Sequence, residues 1–252
     1  MKSVNKPLLY CMPIFILMVL MGGYLYKKPV VENTEDREVV DFSQYAAGTE
    51  RKKVFIEYFK PLIEEENKTV FALREKIIQA KKKQHKPSWL VAALTDYRLA
   101  SFDETNAQHW EDLLARVDIV PVSLALAQAA NESGWGTSRF AREGNNFYGQ
   151  WCFTQGCGIV PTSRNAGANH EVAAFDSPQQ SVSRYILNIN SHPTYAELRA
   201  IRLSLRQQQQ PITGGALAAG LLGYSERKEA YIEELRDMIR HNHWARLDLP
   251  GD

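Results

Sequence analysis

The sequence predicts a mostly α (α+β) fold, a helical domain carrying a small β-hairpin lobe. Three observations point there. Apolar residues recur at helical spacing from residue 50 onward, as in Val54, Tyr58, Leu62 and Ile63 and again in Val70, Leu73, Ile77 and Ile78. The stretch from Val122 to Ala130, Val-Ser-Leu-Ala-Leu-Ala-Gln-Ala-Ala, is almost wholly apolar and rich in strong helix formers, which suits a helix buried on most faces. Between Gly149 and Phe175 the helical period stops, and Gly, Cys, Thr and Val punctuate the chain as they do around short strands.

The first element is an uncharged apolar run at residues 7–26; twenty residues rising about 1.5 Å each just span a hydrocarbon core of about 30 Å. No small-x-small cleavage site follows, only Gly22-Gly23-Tyr24-Leu25-Tyr26-Lys27-Lys28. Residues 1–28 therefore read first as an uncleaved inner-membrane anchor with its amino terminus inside, and alternatively as a cleaved signal or a buried core helix. Residues 29–49 read as a solvated acidic tether, because 31–50 hold six acids against Arg37 alone.

A helical amino-terminal extension is expected over 50–117. Its first block spans 50–84, where Pro61 should kink or divide it and Lys81-Lys82-Lys83 complement the dipole at a helix C-terminus. A second helix is predicted over 87–100 and a third over 110–117. Asp118-Ile119-Val120-Pro121 then turns the chain into the apolar helix, which opens a second domain over 118–252. Gly134 and Gly136 stop that helix. After the lobe, Ser177-Pro178-Gln179-Gln180 forms a capping box with proline in the first turn, leading into Val182, Tyr185, Ile186 and Ile189. Gln207 to Gln210 read as a loop, and helices over 214–222 and 227–241 finish the chain.

Composition excludes several function classes. Hydrophobic residues at 44% and charged residues at 23% argue against disorder and against a polytopic membrane protein. Thirty Lys+Arg against 29 Asp+Glu leave a net charge of +1, so no global field would hold nucleic acid. Cys152 and Cys157 bracket four residues, a hairpin-loop spacing that fits a disulfide whose closure stabilises by about 2 kcal/mol. Cys11 sits in the apolar run as a packing residue. No second Cys pair completes a zinc site, and His170, His192, His241 and His243 share no ligand spacing, so neither metal nor other cofactor is expected. The disulfide and the anchor agree on a periplasmic or extracellular compartment.

Glu132 stands out because it ends a nearly chargeless helix where the macrodipole is negative and an anion is disfavoured. Apolar neighbours, the carbonyl end of the helix and the adjacent Trp135 would all raise its pKa, as a general acid requires. The alternative is a Glu that reaches solvent or caps a neighbouring backbone. Ser133 has no His-Asp partner nearby in sequence, which argues against a serine nucleophile.

The segment Ala127-Gln128-Ala129-Ala130-Asn131-Glu132-Ser133-Gly134-Trp135-Gly136, followed by Asn145-Asn146-Phe147-Tyr148-Gly149, resembles the signature of the bacterial glucosaminidase domain of peptidoglycan hydrolases, glycoside hydrolase family 73. The resemblance runs over roughly residues 118–248. It implies a lysozyme-like helical domain, with 118–252 as the catalytic domain of an endo-β-N-acetylglucosaminidase acting on the peptidoglycan glycan strand. It also implies Glu132 as the catalytic acid. The family's usual Leu before that Glu is Asn131 here, a polar change that softens the pKa rise. Some members place a second Glu on the hairpin lobe, and Glu171 occupies that stretch; otherwise the substrate's own N-acetyl group would support the oxocarbenium-like centre. The plain reading of Glu171 is an exposed strand residue. Asp176 competes for the same role but precedes Ser177-Pro178 and reads as part of a helix cap.

Tyr224, in Leu222-Gly223-Tyr224-Ser225, resembles the family's Gly-Tyr-Ala-Thr-Asp segment, although Ser225-Glu226-Arg227 departs from it. Tyr224 ranks first and Tyr231 second as the tyrosine at the N-acetyl group or the reacting centre. Asn145, Asn146, Phe147, Tyr148 and Trp151 are the substrate-binding candidates, since aromatic faces beside amides suit sugar rings, with core packing as the other reading of Phe147 and Trp151. Two further functions stay open: a lytic transglycosylase, which needs only one acid/base, and a non-catalytic cell-wall-binding scaffold. In either case the 50–117 region could cover the cleft or dock an unknown protein partner.

Overall fold

The computed structural model describes residues 39–99, 101–162, 164, 167 and 169–249. The apolar run at 7–26, with Cys11 and the anchor assigned to it, lies outside the described residues, as does the tether up to residue 38. No helix among the described residues is long and apolar enough to cross a membrane. The described residues all lie in one compact unit, so the 50–117 stretch shares its core with the rest.

The end of the predicted tether is docked rather than solvated. Asp41 caps a short 3-10 turn, Phe42–Gln44, by accepting the Ser43 N–H at 3.0 Å. That turn buries Phe42 against Phe55 and Phe59, with ring centroids 5.2 and 6.0 Å apart. Gly136, at φ +78°, makes room for it: a Cβ there would stand 2.2 Å from the Phe42 ring.

Helix α1 (Thr49–Lys82) runs unbroken through Pro61, so the proline does not divide it into two helices. Proline removes one backbone hydrogen bond. The buried Tyr58, Phe59, Leu62 and Ile63 on either side hold the helix by packing. Helix α2 (Leu90–Asp96) is shorter than the predicted 87–100, because Arg98 enters the left-handed region at φ 58° and Leu99 N–H bonds back to the Leu94 carbonyl. Helix α3 (Ala107–Arg116) begins earlier than predicted, where the Asn106 side chain accepts the Gln108 N–H at 2.9 Å.

Helix α4 (Val122–Ser133) is the buried centre, packed by α1 and by the carboxy-terminal helices α8 (Gly214–Leu217) and α9 (Glu229–His241). Its first turn lacks a local cap, and Asp248 supplies one from the far end of the chain, accepting Ser123 N–H at 2.9 Å and Gly214 N–H at 2.8 Å. The helix ends at Gly134, φ 57°, with Trp135 N–H returned to the Ala130 carbonyl at 2.8 Å. Helix α5 (Arg139–Gly144) follows, then the lobe, then α6 (Pro178–Ser191). The predicted cap forms, with Ser177 Oγ accepting Gln180 N–H at 3.2 Å and the Gln180 side chain reaching back to the Asp176 N–H at 2.8 Å.

Helix α7 (Ala196–Gln207) was not expected from the periodicity, because its buried face carries Arg199 and Arg202. Both donate to backbone carbonyls, Arg199 to His192 at 2.8 Å and Arg202 to Ile119 at 2.7 Å. Buried Asp118 gathers Arg74 of α1, Arg202 and Arg206 within 3.5, 3.8 and 2.5 Å. Burial pushes its carboxyl up, but the Arg206 hydrogen bonds and the neighbouring arginines outweigh that and hold it below the usual carboxylate range. This cluster ties the 50–117 stretch to the helices that follow it.

The lobe is a three-stranded antiparallel sheet of β1 (Trp151–Cys152), β2 (Gly158–Ile159) and β3 (Glu171–Ala173), in the order β1-β3-β2. Cys152 and Cys157 are bonded, with Cα atoms 6.2 Å apart. The simple hairpin is corrected, however: β1 and β2 do not pair with each other, and each pairs with β3. Gly158 permits this, since a Cβ there would meet the Val172 carbonyl oxygen at 2.0 Å.

Candidate active site

The apolar sequence of α4 places Gln128 and Glu132 four residues apart on one helix face. Glu132 is partly exposed, whereas Gln128 is fully buried. Tyr231, in the first turn of α9, donates its hydroxyl to Glu132 Oε1 at 2.8 Å. The Tyr231 oxygen in turn accepts from Gln128 Nε2 at 3.1 Å, and Gln128 Oε1 accepts from the Tyr185 hydroxyl of α6 at 2.6 Å. Because Tyr185 fixes the carbonyl end of the amide, the NH₂ end faces Tyr231. The Tyr231 proton is then left to point at Glu132, so Oε1 is an acceptor whether or not the carboxyl is ionised. A transferable proton belongs on Oε2. That oxygen lies against Gly149, where a Cβ would come within 3.5 Å of it and where φ is +62°.

Burial pushes the Glu132 carboxyl above its ordinary range, while the hydrogen bonds from Tyr231 and Asn131 pull it part of the way back. The softening expected of Asn131 thus has a direct cause. The Trp135 ring packs on Phe55 and Trp244, at 5.6 and 5.9 Å, and serves the fold there. Ser133 is committed as well, donating to the Ala129 carbonyl at 2.6 Å and accepting the Gly136 N–H at 2.8 Å.

Tyr231 bonds Glu132, while Tyr224 stacks behind it at 5.4 Å and donates to the Tyr148 carbonyl at 2.9 Å. Among the substrate-binding candidates, Phe147 is a core residue, its ring 4.6 Å from Phe59. Asn146 is buried and spends its amide on backbone, donating to the Gln150 and Ala173 carbonyls at 2.9 and 2.8 Å and accepting the Gln150 N–H at 3.1 Å. Asn145 takes the left-handed position that ends α5 and donates to the Phe175 carbonyl at 3.0 Å. Tyr148 is buried and stacked on Tyr185 at 3.9 Å, its hydroxyl without a partner among the described residues. Trp151 is 60% exposed on the lobe, with His170 stacked against it at 4.1 Å. These five residues therefore shape the turn beside Glu132, and Trp151 is the one that offers solvent a broad aromatic surface.

Glu171 is buried in β3, not exposed. Its two oxygens accept the Gly156 and Gly158 N–H groups at 3.0 and 2.8 Å, which holds it below the ordinary carboxylate range. The carboxylate pins the disulfide loop to the sheet, and among the described residues neither oxygen hydrogen-bonds a member of the Glu132 network. Cys152, Cys157 and Glu171 bring three donor atoms within 4.8 Å, but the two sulfurs are bonded to each other and unavailable to a metal.

Sequence reasoning passed over Gln128, Tyr185 and Gly149. A signal existed for Gln128, which is the lone amide in the almost wholly apolar run from Val122 to Ala130 and stands one turn before Glu132. Tyr185 gave none, since an aromatic at a core position of α6 reads as packing.

Over residues 107–244 the chain matches the Glucosaminidase family, described as mannosyl-glycoprotein endo-beta-N-acetylglucosaminidase. It is also 36% identical over 209 residues to Protein bax of Escherichia coli (strain K12), an alignment covering 80% of this chain and 73% of that protein. No solved structure matches the chain.

Proposed function

The chain belongs to the Glucosaminidase family, and on that footing we propose that it is a peptidoglycan hydrolase, an endo-β-N-acetylglucosaminidase cleaving the glycan strand after N-acetylglucosamine. One observation carries the reading: Glu132 combines a raised pKa with a hydroxyl donor on Oε1, leaving Oε2 to deliver a proton beside Gly149. In this reading Glu132 protonates the glycosidic oxygen, while Tyr231 holds the carboxyl and loses no proton. Gln128 and Tyr185 act through Tyr231 as positioning residues, and Tyr224 braces its ring.

A glycosidase also needs a group to support positive charge at the anomeric carbon. Both Glu171 oxygens are occupied by loop amides, which favours the substrate's own N-acetyl group in that role and leaves Glu171 to shape the lobe. The same observation keeps one second reading, a lytic transglycosylase, which manages with a single acid/base. The cell-wall scaffold is less favoured, because a desolvated carboxyl with oriented donors has little use in passive binding. The chain acts in the periplasm, held at the inner membrane by residues 7–26 or released after signal cleavage; the disulfide supports an oxidising compartment.

Digestion of purified sacculi followed by mass analysis of the released muropeptides tests this. N-acetylglucosamine at the new reducing ends is the expected product. Anhydromuramic ends would replace the hydrolase with the transglycosylase, and an absence of soluble product would favour the scaffold.

A further inference from the structure

Past Gly149 the chain continues through Gln150 to Trp151, whose Cα lies within about 8 Å of the Gly149 Cα. A polar cleft of about 350 Å³ opens there. Gln150 and Trp151 wall it from the lobe, Arg184 and Asn188 from α6, and Asp96 and Arg98 from the end of α2.

The arginines of this cleft differ from several of those elsewhere on the surface. Arg139, Arg227, Arg236 and Arg240 each pair with a carboxylate. Arg98 and Arg184 are exposed, and neither has an ion-pair partner among the described residues. Asp96 is the one acid in the lining, so two guanidinium groups leave the cleft positive. Guanidinium forks suit carboxylates in particular. Trp151, 60% exposed, adds a flat apolar surface of the kind that sugar rings cover. Arg98 also lies outside residues 107–244, so the extension supplies a wall that the family match does not include.

We propose that this cleft binds carboxylate groups hanging from the N-acetylhexosamine strand, with Trp151 under a sugar and Arg98 and Arg184 on the carboxylates. The inference rests on the peptidoglycan reading and extends it from bond cleavage to recognition of the substituents on the strand. Two sources carry this chemistry: the peptide stem, and the lactyl ether group exposed once an amidase has removed the stem. The 50–117 extension acquires a role in choosing substrate.

The test measures binding of the full chain carrying Glu132→Gln to three soluble oligomers by calorimetry. These are peptide-bearing strands, amidase-stripped strands and chitin oligomers, which have no carboxylate. Arg98→Ala and Arg184→Ala should each weaken binding to a carboxylate-bearing strand about tenfold, the usual worth of a hydrogen bond to a charged group. Together they should abolish the preference over chitin oligomers, as should raising the salt concentration. Weakening confined to peptide-bearing strands assigns the stem carboxylates, weakening confined to stripped strands assigns the lactyl carboxylate, and weakening on both shows that the cleft takes either. Equal weakening on all three oligomers, or none, overturns the proposal. Hydrolysis by the native chain is read separately: normal cleavage without carboxylate preference sinks the cleft alone, whereas preferential binding without cleavage sinks the hydrolase reading alone.

Discussion

Tyr185→Phe probes the network behind Glu132 without touching the carboxyl. The phenylalanine ring keeps the stack on Tyr148, and only the hydroxyl that donates to Gln128 Oε1 at 2.6 Å is lost. Gln128 has no solvent exposure, so its carbonyl has no water to turn to. The amide can recover a partner by rotating its oxygen towards Tyr231, which then donates to Gln128 instead of Glu132. Glu132 loses a donor to its charged form, and its proton can settle on Oε1, facing Tyr231 and away from Gly149. A hydrogen bond to a charged group contributes about 1.5–3 kcal/mol, so kcat should fall between about tenfold and a hundredfold. The pH profile carries the specific signature. Activity needs protonated Glu132 and declines as pH rises through its pKa, and removing a donor to the carboxylate raises that pKa. The alkaline limb should therefore move to higher pH while the plateau drops. In a Gln128→Leu background, Tyr185→Phe should cost almost nothing more, because the amide it orients is gone. Muropeptide release measured across pH for the four proteins of this cycle decides the matter. An unmoved limb with additive losses would refute the network and leave Tyr185 as a packing residue.

Two further predictions follow from the geometry. Gly149→Ala should destabilise by about 1–2 kcal/mol through its left-handed backbone, and its methyl group beside Oε2 should lower activity about tenfold or more; wild-type activity would show that Oε2 does not face the substrate. Glu171 has a depressed pKa, so its hold on the loop is present above the unfolded carboxyl range and is lost as pH falls through the folded value. The protection of the Gly156 and Gly158 amides, relative to their intrinsic exchange rates, should fall over that acid range, and in Glu171→Gln it should already be low at neutral pH while glycan cleavage stays measurable; complete loss of cleavage would restore Glu171 to the chemistry.

The helical scaffold was legible because it follows from hydrophobic period, caps and breakers. Val122 to Ala130 announced a buried helix, and Ser177-Pro178-Gln179-Gln180 announced the start of α6, and both formed. Errors arose where tertiary contacts override local signals. Arg199 and Arg202 hide α7 because their charge is satisfied by carbonyls and by Asp118, which no local pattern reveals. Phe42 lay within an acidic stretch that read as solvated, yet an aromatic cluster receives it. For the site, the rule that Glu132 breaks at its helix end was visible in one dimension. Its partners come from α6 and α9, so the hydrogen bond of Tyr231, and not Tyr224, to Glu132 and the spending of Asn146 on backbone required three.

Glu132→Gln on purified sacculi tests the central claim most directly. Glutamine can still accept from Tyr231, so the fold should survive. At neutral pH the variant should be at least as heat-stable as the parent, because a carboxyl whose folded pKa is raised costs stability as pH climbs through that value. Its muropeptide release should nonetheless fall by about 10²-fold to 10⁴-fold, the range of general acid catalysis. Release at the native rate from a folded Glu132→Gln protein would contradict the account.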